Sequence, residues 1–180
     1  ILATAAACDG SLQVEFGMGK YPNRDVTDAF GGVSRGVEQW TVRASRELAH
    51  DPHRTSVGAL HYEVVEPFQE VRCRLDASDA QPMAFDWRFH AEVPAQLEER
   101  ERRRTHTASQ PDEDLVRYHQ VGVAEGWVEL NGERHNISTD TWFSGRDHSW
   151  GVRQGVGVPD AAAGDSEPPV DMSVLVLWSP

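Results

Sequence analysis

The sequence predicts an all-β fold, an antiparallel barrel or a strongly curved sheet. Three observations carry this. First, Met83–Val93 alternates cleanly: Met83, Phe85, Trp87, Phe89, Ala91 and Val93 form one face, and Asp86, Arg88, His90 and Glu92 the other, as expected of a half-buried strand. Second, runs of this kind recur along the 180 residues, separated by short polar turns, which is the spacing of a sandwich or barrel. Third, Asn131-Gly132 is a strong hairpin signal, since both central positions of a type I′ turn need positive φ. Aromatic inner faces favour a barrel or curved sheet with a ligand-sized interior.

Taken in order, Ile1–Ala7 is apolar and Cys8-Asp9-Gly10-Ser11 is a turn. Ser11–Tyr21 is a half-buried strand in which Leu12, Val14, Phe16 and Met18 alternate with Gln13 and Glu15. Tyr21-Pro22-Asn23 leaves it in a turn, and Gly31-Gly32 marks either a bulge or the end of a short strand. Val37–Leu48 places Trp40, Val42, Ala44 and Leu48 on one face with Arg46 among them, and Arg43 on the opposite face. An arginine on an apolar face is expensive unless paired. Arg46 therefore either snorkels to water at a strand end or points into a cavity towards a carboxylate or ligand.

Ser56–Glu66 and Gln69–Ala77 read as two strands split by Pro67; in the second, Val71, Cys73 and Leu75 face in and Arg72 and Arg74 face out. Pro94–Asp114 breaks the pattern. Its charged Gln96–Arg104 run is expected as an exposed helical segment or a mobile loop. Strand signals resume at Val116–Leu130, return over Glu133–Ile137 and continue through Trp142–Arg153. Asn136-Ile137-Ser138 matches a glycosylation acceptor, a weak signal at three residues. Gln154–Pro169 is a Gly/Ala/Asp/Pro-rich loop, and Met172–Trp178 a last strand apolar on both faces.

The length fits one domain spanning 1–180, with loops at 94–114 and 154–170. A net charge of −12 argues against a nucleic-acid partner, which needs a basic surface. No apolar run approaches a membrane span. The apolar start lacks a basic region and makes a poor signal peptide, so a cytoplasmic location is expected. Cys8 and Cys73 form no disulfide framework and are expected as small buried hydrophobes. Neither end carries a polar terminus, so the chain is expected to be part of a longer polypeptide.

Trp142–Arg153 holds the densest chemistry: two Trp, two Arg, one Asp and one His within twelve residues. As a strand it places Trp142, Arg146, His148 and Trp150 on one face and Asp147 and Arg153 on the other. Histidines and carboxylates elsewhere lack metal-ligand spacing, and no nucleophile elbow or nucleotide fingerprint stands in context. The expectation is no metal and no cofactor. A histidine between aromatic rings with an arginine nearby suits proton transfer in an apolar pocket. Asp147 either takes part or anchors the strand by pairing with Arg43 or Arg153. The bland alternative is a structural stretch, with Trp plugs in a barrel wall.

Gly145-Arg146-Asp147-His148-Ser149-Trp150-Gly151 resembles the Asp-His-x-Trp-Gly signature of the AttH/carotenoid hydratase group. Gly19-Lys20-Tyr21-Pro22-Asn23, Val42–Arg46, Val57-Gly58 and Val65-Glu66-Pro67 are similar to a bacterial branch of it. The resemblance runs from about Asp9 to Trp178. It implies a lipocalin-like (calycin) β-barrel that is the N-terminal half of a two-barrel protein. The implied activity is a cofactor-independent hydratase, dehydratase or isomerase acting on an isoprenoid- or steroid-like molecule. His148, Asp147 and Arg146 are then the expected catalytic residues, and Trp142, Trp150, Tyr21, Arg46, Phe85 and Trp87 line the substrate. The alternatives are a non-catalytic carrier of a lipophilic ligand and a half that only supports its partner half. A homo-oligomer is left open.

Overall fold

The computed structural model describes residues 1–48, 51–103 and 113–152, as backbone alone for 101–103. These residues form thirteen strands: β1 (Leu2–Ala7), β2 (Gln13–Tyr21), β3 (Val26–Arg35), β4 (Glu38–Glu47), β5 (Ser56–Val57), β6 (Leu60–Glu66), β7 (Glu70–Leu75), β8 (Met83–Ala91), β9 (Gln96–Leu97), β10 (Glu101–Arg103), β11 (Glu113–Leu130), β12 (Glu133–Ile137) and β13 (Trp142–Val152). They form one antiparallel sheet in the order β4-β3-β2-β1-β13-β11-β8-β7-β6-β5, with β9, β10 and β12 each pairing on β11. Ten strands sweep 308° round an axis, so the sheet is a nearly closed barrel of the calycin-like class. Among the described residues there is no α-helix, only a 3-10 turn at Pro22–Arg24. None is a helix long and apolar enough to cross a membrane.

Alternation sets which side chains fill the barrel. Val14 and Phe16 from β2, Val71, Cys73 and Leu75 from β7, and Phe85, Trp87 and Phe89 from β8 are fully buried on the inner face. Each fully buried Phe contributes about 1.5–3 kcal/mol relative to exposure. β1 supplies only Ala3, Ala5 and Ala7 to that face; small residues on one wall leave room for large ones from the others. Outside, β7 and β8 are laced by Arg72–Asp86 and Arg88–Glu70 ion pairs. The Asn131-Gly132 hairpin joins β11 and β12, with both residues at positive φ.

The structure corrects the sequence reading at several points. β3 is a full ten-residue strand, with Gly31-Gly32 in its middle and not at a bulge or an end. Glycine hides strand propensity, but Gly31 is where the opposite wall comes closest: a Cβ there would lie 2.8 Å from Phe85 Cζ and 3.0 Å from Leu60 Cδ2. Ile1–Ala7 contributes β1 between β2 and β13. Ser56–Glu66 divides at Gly58, whose φ is +58°. Within 94–114, where an exposed helical segment or loop is expected, the described residues form β9 and β10, which add to β11, and β11 itself begins at Glu113. Backbone pairing requires no apolar alternation, and edge strands commonly carry charge. Cys73 is buried as expected, but Cys8 is exposed in the turn after β1. Arg104, Arg153, the 154–170 loop and the Met172–Trp178 strand lie outside the described residues.

Candidate functional site

The inner face of β13 runs from a buried end at Trp142 to a more open end at Trp150. Trp142 and Ser144 are buried, Arg146 is 4% exposed, His148 is half-buried, and Trp150 is 50% exposed. On β11 the paired inner residues are Tyr118, opposite His148, and Gln120, opposite Arg146. The open end is therefore lined by rings. The Tyr118 ring lies 5.5 Å from those of His148 and Phe68 and 6.4 Å from that of Trp150, and His148 is 5.7 Å from Trp150. Leu97 of β9 pairs with Tyr118 at the same rim and is exposed, as are Phe68 and Val93.

Gln120 holds this end together. It is buried, and its amide nitrogen donates to the carbonyls of Phe68 at 2.9 Å and Val93 at 3.2 Å. That leaves its amide oxygen to accept from Arg146, from Nε at 3.0 Å and Nη2 at 2.6 Å. Arg146 Nη1 reaches the Tyr62 hydroxyl on β6 at 3.3 Å, and the guanidinium packs 5.4 Å from the ring centres of Phe89 and Tyr118. Arg146 thus ties three walls of the barrel together. No carboxylate among the described residues pairs with it. Burial holds the Tyr62 hydroxyl and the Cys73 thiol well above their usual values, so both stay neutral beside it.

Phe68 carries backbone strain at the rim, with φ at +61°. A bulky residue there is a genuine outlier, and such residues cluster at functional sites. His148 is held below its usual value, first by burial and then by the positive charges of the chain's amino group and of Arg146; Asp147 opposes this. Its Nδ1 lies 3.4 Å from the Tyr118 hydroxyl. A neutral imidazole beside a phenol is able to pass a proton, and the surrounding rings are able to hold an apolar body.

The sequence-predicted residues separate into groups. Arg146, His148 and Trp150 meet at the open end. Trp142 shares their face but packs into the core beyond, and Phe85 and Trp87 are fully buried core residues. Asp147 lies on the outer face between Leu2 and His119, and among the described residues it forms no ion pair with Arg43. With Leu2, Thr4, Glu15 and Arg146 it lines a groove of about 260 Å³. Tyr21 is half-buried on the outer face of β2, its ring over Gly19. Arg46 sits at a strand end, donating to the carbonyls of Glu47, Asp51, Arg54 and Ser56 and so fastening the loop after β4. Sequence reasoning missed Tyr62, Phe68, Tyr118 and Gln120. The signal for Gln120 was available, as an amide on the inner side of the alternating β11. Phe68, in a turn after Pro67, gave none.

Among the described residues no three His, Cys, Asp or Glu side chains are grouped so as to hold a metal ion. The model of a family of unknown function, DUF8625, matches residues 3–180. The chain belongs to this family. No curated protein and no solved structure matches it. For this DUF8625 member the calycin-like class rests on the barrel itself, and no matched relative ties it to the AttH group. What the family member presents is a nearly closed hydrophobic barrel able to house a small lipophilic ligand.

Proposed function

We propose that this DUF8625 barrel binds a lipophilic small molecule at its aromatic end. The observation that carries the reading is the placement of exposed apolar surface. Phe68, Val93, Leu97 and Trp150 are all exposed, and all gather round Tyr118 and Gln120. Concentrated exposed apolar surface of this kind marks a binding site, and the mouths of barrels are a common location for one. Native mass spectrometry of the purified protein, followed by denaturation, tests it. A released lipophilic molecule, or an added apolar dye whose emission rises and then falls again in Trp150→Ala and Phe68→Ala, is the expected result. Neither ligand nor dye uptake would refute the proposal.

A second reading is supported by the Tyr118–His148 contact. A neutral His148 and the phenol form a proton-transfer couple among rings able to stabilise a cationic intermediate. The chemistry would be that of a hydro-lyase or isomerase on an isoprenoid- or steroid-like substrate. Asp147, on the outer face, lies away from that couple. Incubation with isoprenoid alcohols and alkenes should show gain or loss of one water, abolished in His148→Ala. Turnover that survives this change removes the reading. The outer face of β11 and β13 exposes Val121 and Phe143, which supports a second lipocalin-like half in the same polypeptide. The intact mass of the natural gene product, well above 20.0 kDa, is the expected finding; a mass of this size with self-association would assign the face to a homo-oligomer.

A further inference from the structure

We infer that the barrel receives the carboxylate of a lipophilic acid, anchored by the Arg146 guanidinium. This rests on the lipophilic-binding reading above and names its ligand class. Arg146 is the one buried charged residue among the described residues. A guanidinium carries five N–H donors. Here three are used, two on the Gln120 amide oxygen and one on the Tyr62 hydroxyl. Both acceptors are neutral, and one N–H on each terminal nitrogen has no acceptor among the described residues. A second observation points the same way. The Trp87 indole N–H, on the inner face one strand from Cys73, is fully buried and has no hydrogen-bond partner among the described residues.

Among the described residues the interior thus holds an excess of donors and a positive charge with no matching anion. A buried cation in this state is expensive, and buried donors without acceptors call for a bound group. A carboxylate supplies both what the charge and what the donors lack, and guanidinium is shaped to bind it in a fork. A single cation suits a monoanion better than a phosphate dianion, and the exposed rings of Phe68 and Trp150 suit a hydrocarbon body. The path between the two is marked by one side chain. Tyr118 touches Phe68, His148 and Trp150 at the rim and packs on the guanidinium below, so it must swing aside to admit the head group.

The test is equilibrium titration of the full chain with a conjugated polyene long-chain fatty acid, its methyl ester and its alcohol. Energy transfer from tryptophan to the polyene reports binding. The acid should bind about tenfold tighter than the ester or the alcohol, the step expected of one charge-assisted contact. In Arg146→Met that preference should vanish while ester affinity stays within about twofold; Trp150→Ala should weaken acid and ester alike. Equal affinity for acid, ester and alcohol in the native protein overturns the carboxylate inference and leaves lipophilic binding standing. A preference that persists in Arg146→Met overturns it too. Failure of all three probes to bind overturns both readings. If Arg146→Met does not fold, the acid-to-ester ratio of the native protein decides by itself.

Discussion

Phe68 joins strain to exposure. Relief of its left-handed backbone is worth about 1–2 kcal/mol, and the extra freedom of glycine in the unfolded chain takes back about 0.4–1 kcal/mol. Phe68→Gly should therefore unfold at slightly higher denaturant while losing ligand affinity, an opposition that a structural role alone would not produce. Gln120 has the reverse character. Gln120→Leu strands two carbonyls and the guanidinium donors, and should cost about 3 kcal/mol in urea unfolding. His148 gives a pH signature. Its native value lies below the ordinary 6.5, so the unfolded state binds more protons between the two. The stability it contributes is present above that ordinary value and is lost as pH falls through the native one. Urea midpoints taken from about pH 7.5 to about pH 5 should show this slope in the native protein and a flatter one in His148→Gln. Glu15 behaves oppositely. Burial raises its carboxyl above 4.5, so its contribution is present below that pH and lost as pH rises through the native value. Glu15→Gln should raise the melting temperature at neutral pH and leave it unchanged in acid.

At the scale of the element, β3 and β11 show what strand patterning conveys. The alternation in β2, β7 and β8 is readable because one face is apolar and the other charged. β3 carries Gly31-Gly32 at its centre and reads as a break, although its backbone pairs without interruption with β2 and β4. Its two glycines are unequal. A Cβ at Gly31 meets Phe85 and Leu60 closely, whereas at Gly32 the nearest atom is 3.7 Å away. Gly31→Ala should lose about 1–3 kcal/mol by overpacking, and Gly32→Ala should change stability by less than about 0.5 kcal/mol. Chemical denaturation of the pair checks this. β11 is long enough to serve five partners in turn. Its short neighbours β9 and β10 gave no pattern in sequence because their pairing is made by backbone.

For the whole molecule, closure depends on β1 bridging β2 and β13, which brings the start of the chain against residues more than 140 positions away. The remaining gap lies between β4 and the two-residue β5. Backbone amides of β1, β11 and β13 should exchange slowest, and those of β4 and β5 fastest, since edges open locally without global unfolding. Uniform exchange across the sheet would show that the barrel is sealed.

The sequence by itself determined the all-β class, the inner faces of most strands and the placing of Arg146, His148 and Trp150 on one face of β13. These follow from a period of two, a property of neighbours along the chain. It left Arg46 and Asp147 open, and it gave no hint of Tyr62 or Phe68. Only the tertiary structure decided that Arg46 closes a loop, that Asp147 faces outward, and that Gln120 and Tyr62 hold Arg146 with no carboxylate of the described residues beside it. The reason is physical. The partners of a buried charge come from strands 26 and 84 residues away, and barrel curvature, which no local pattern encodes, brings them together.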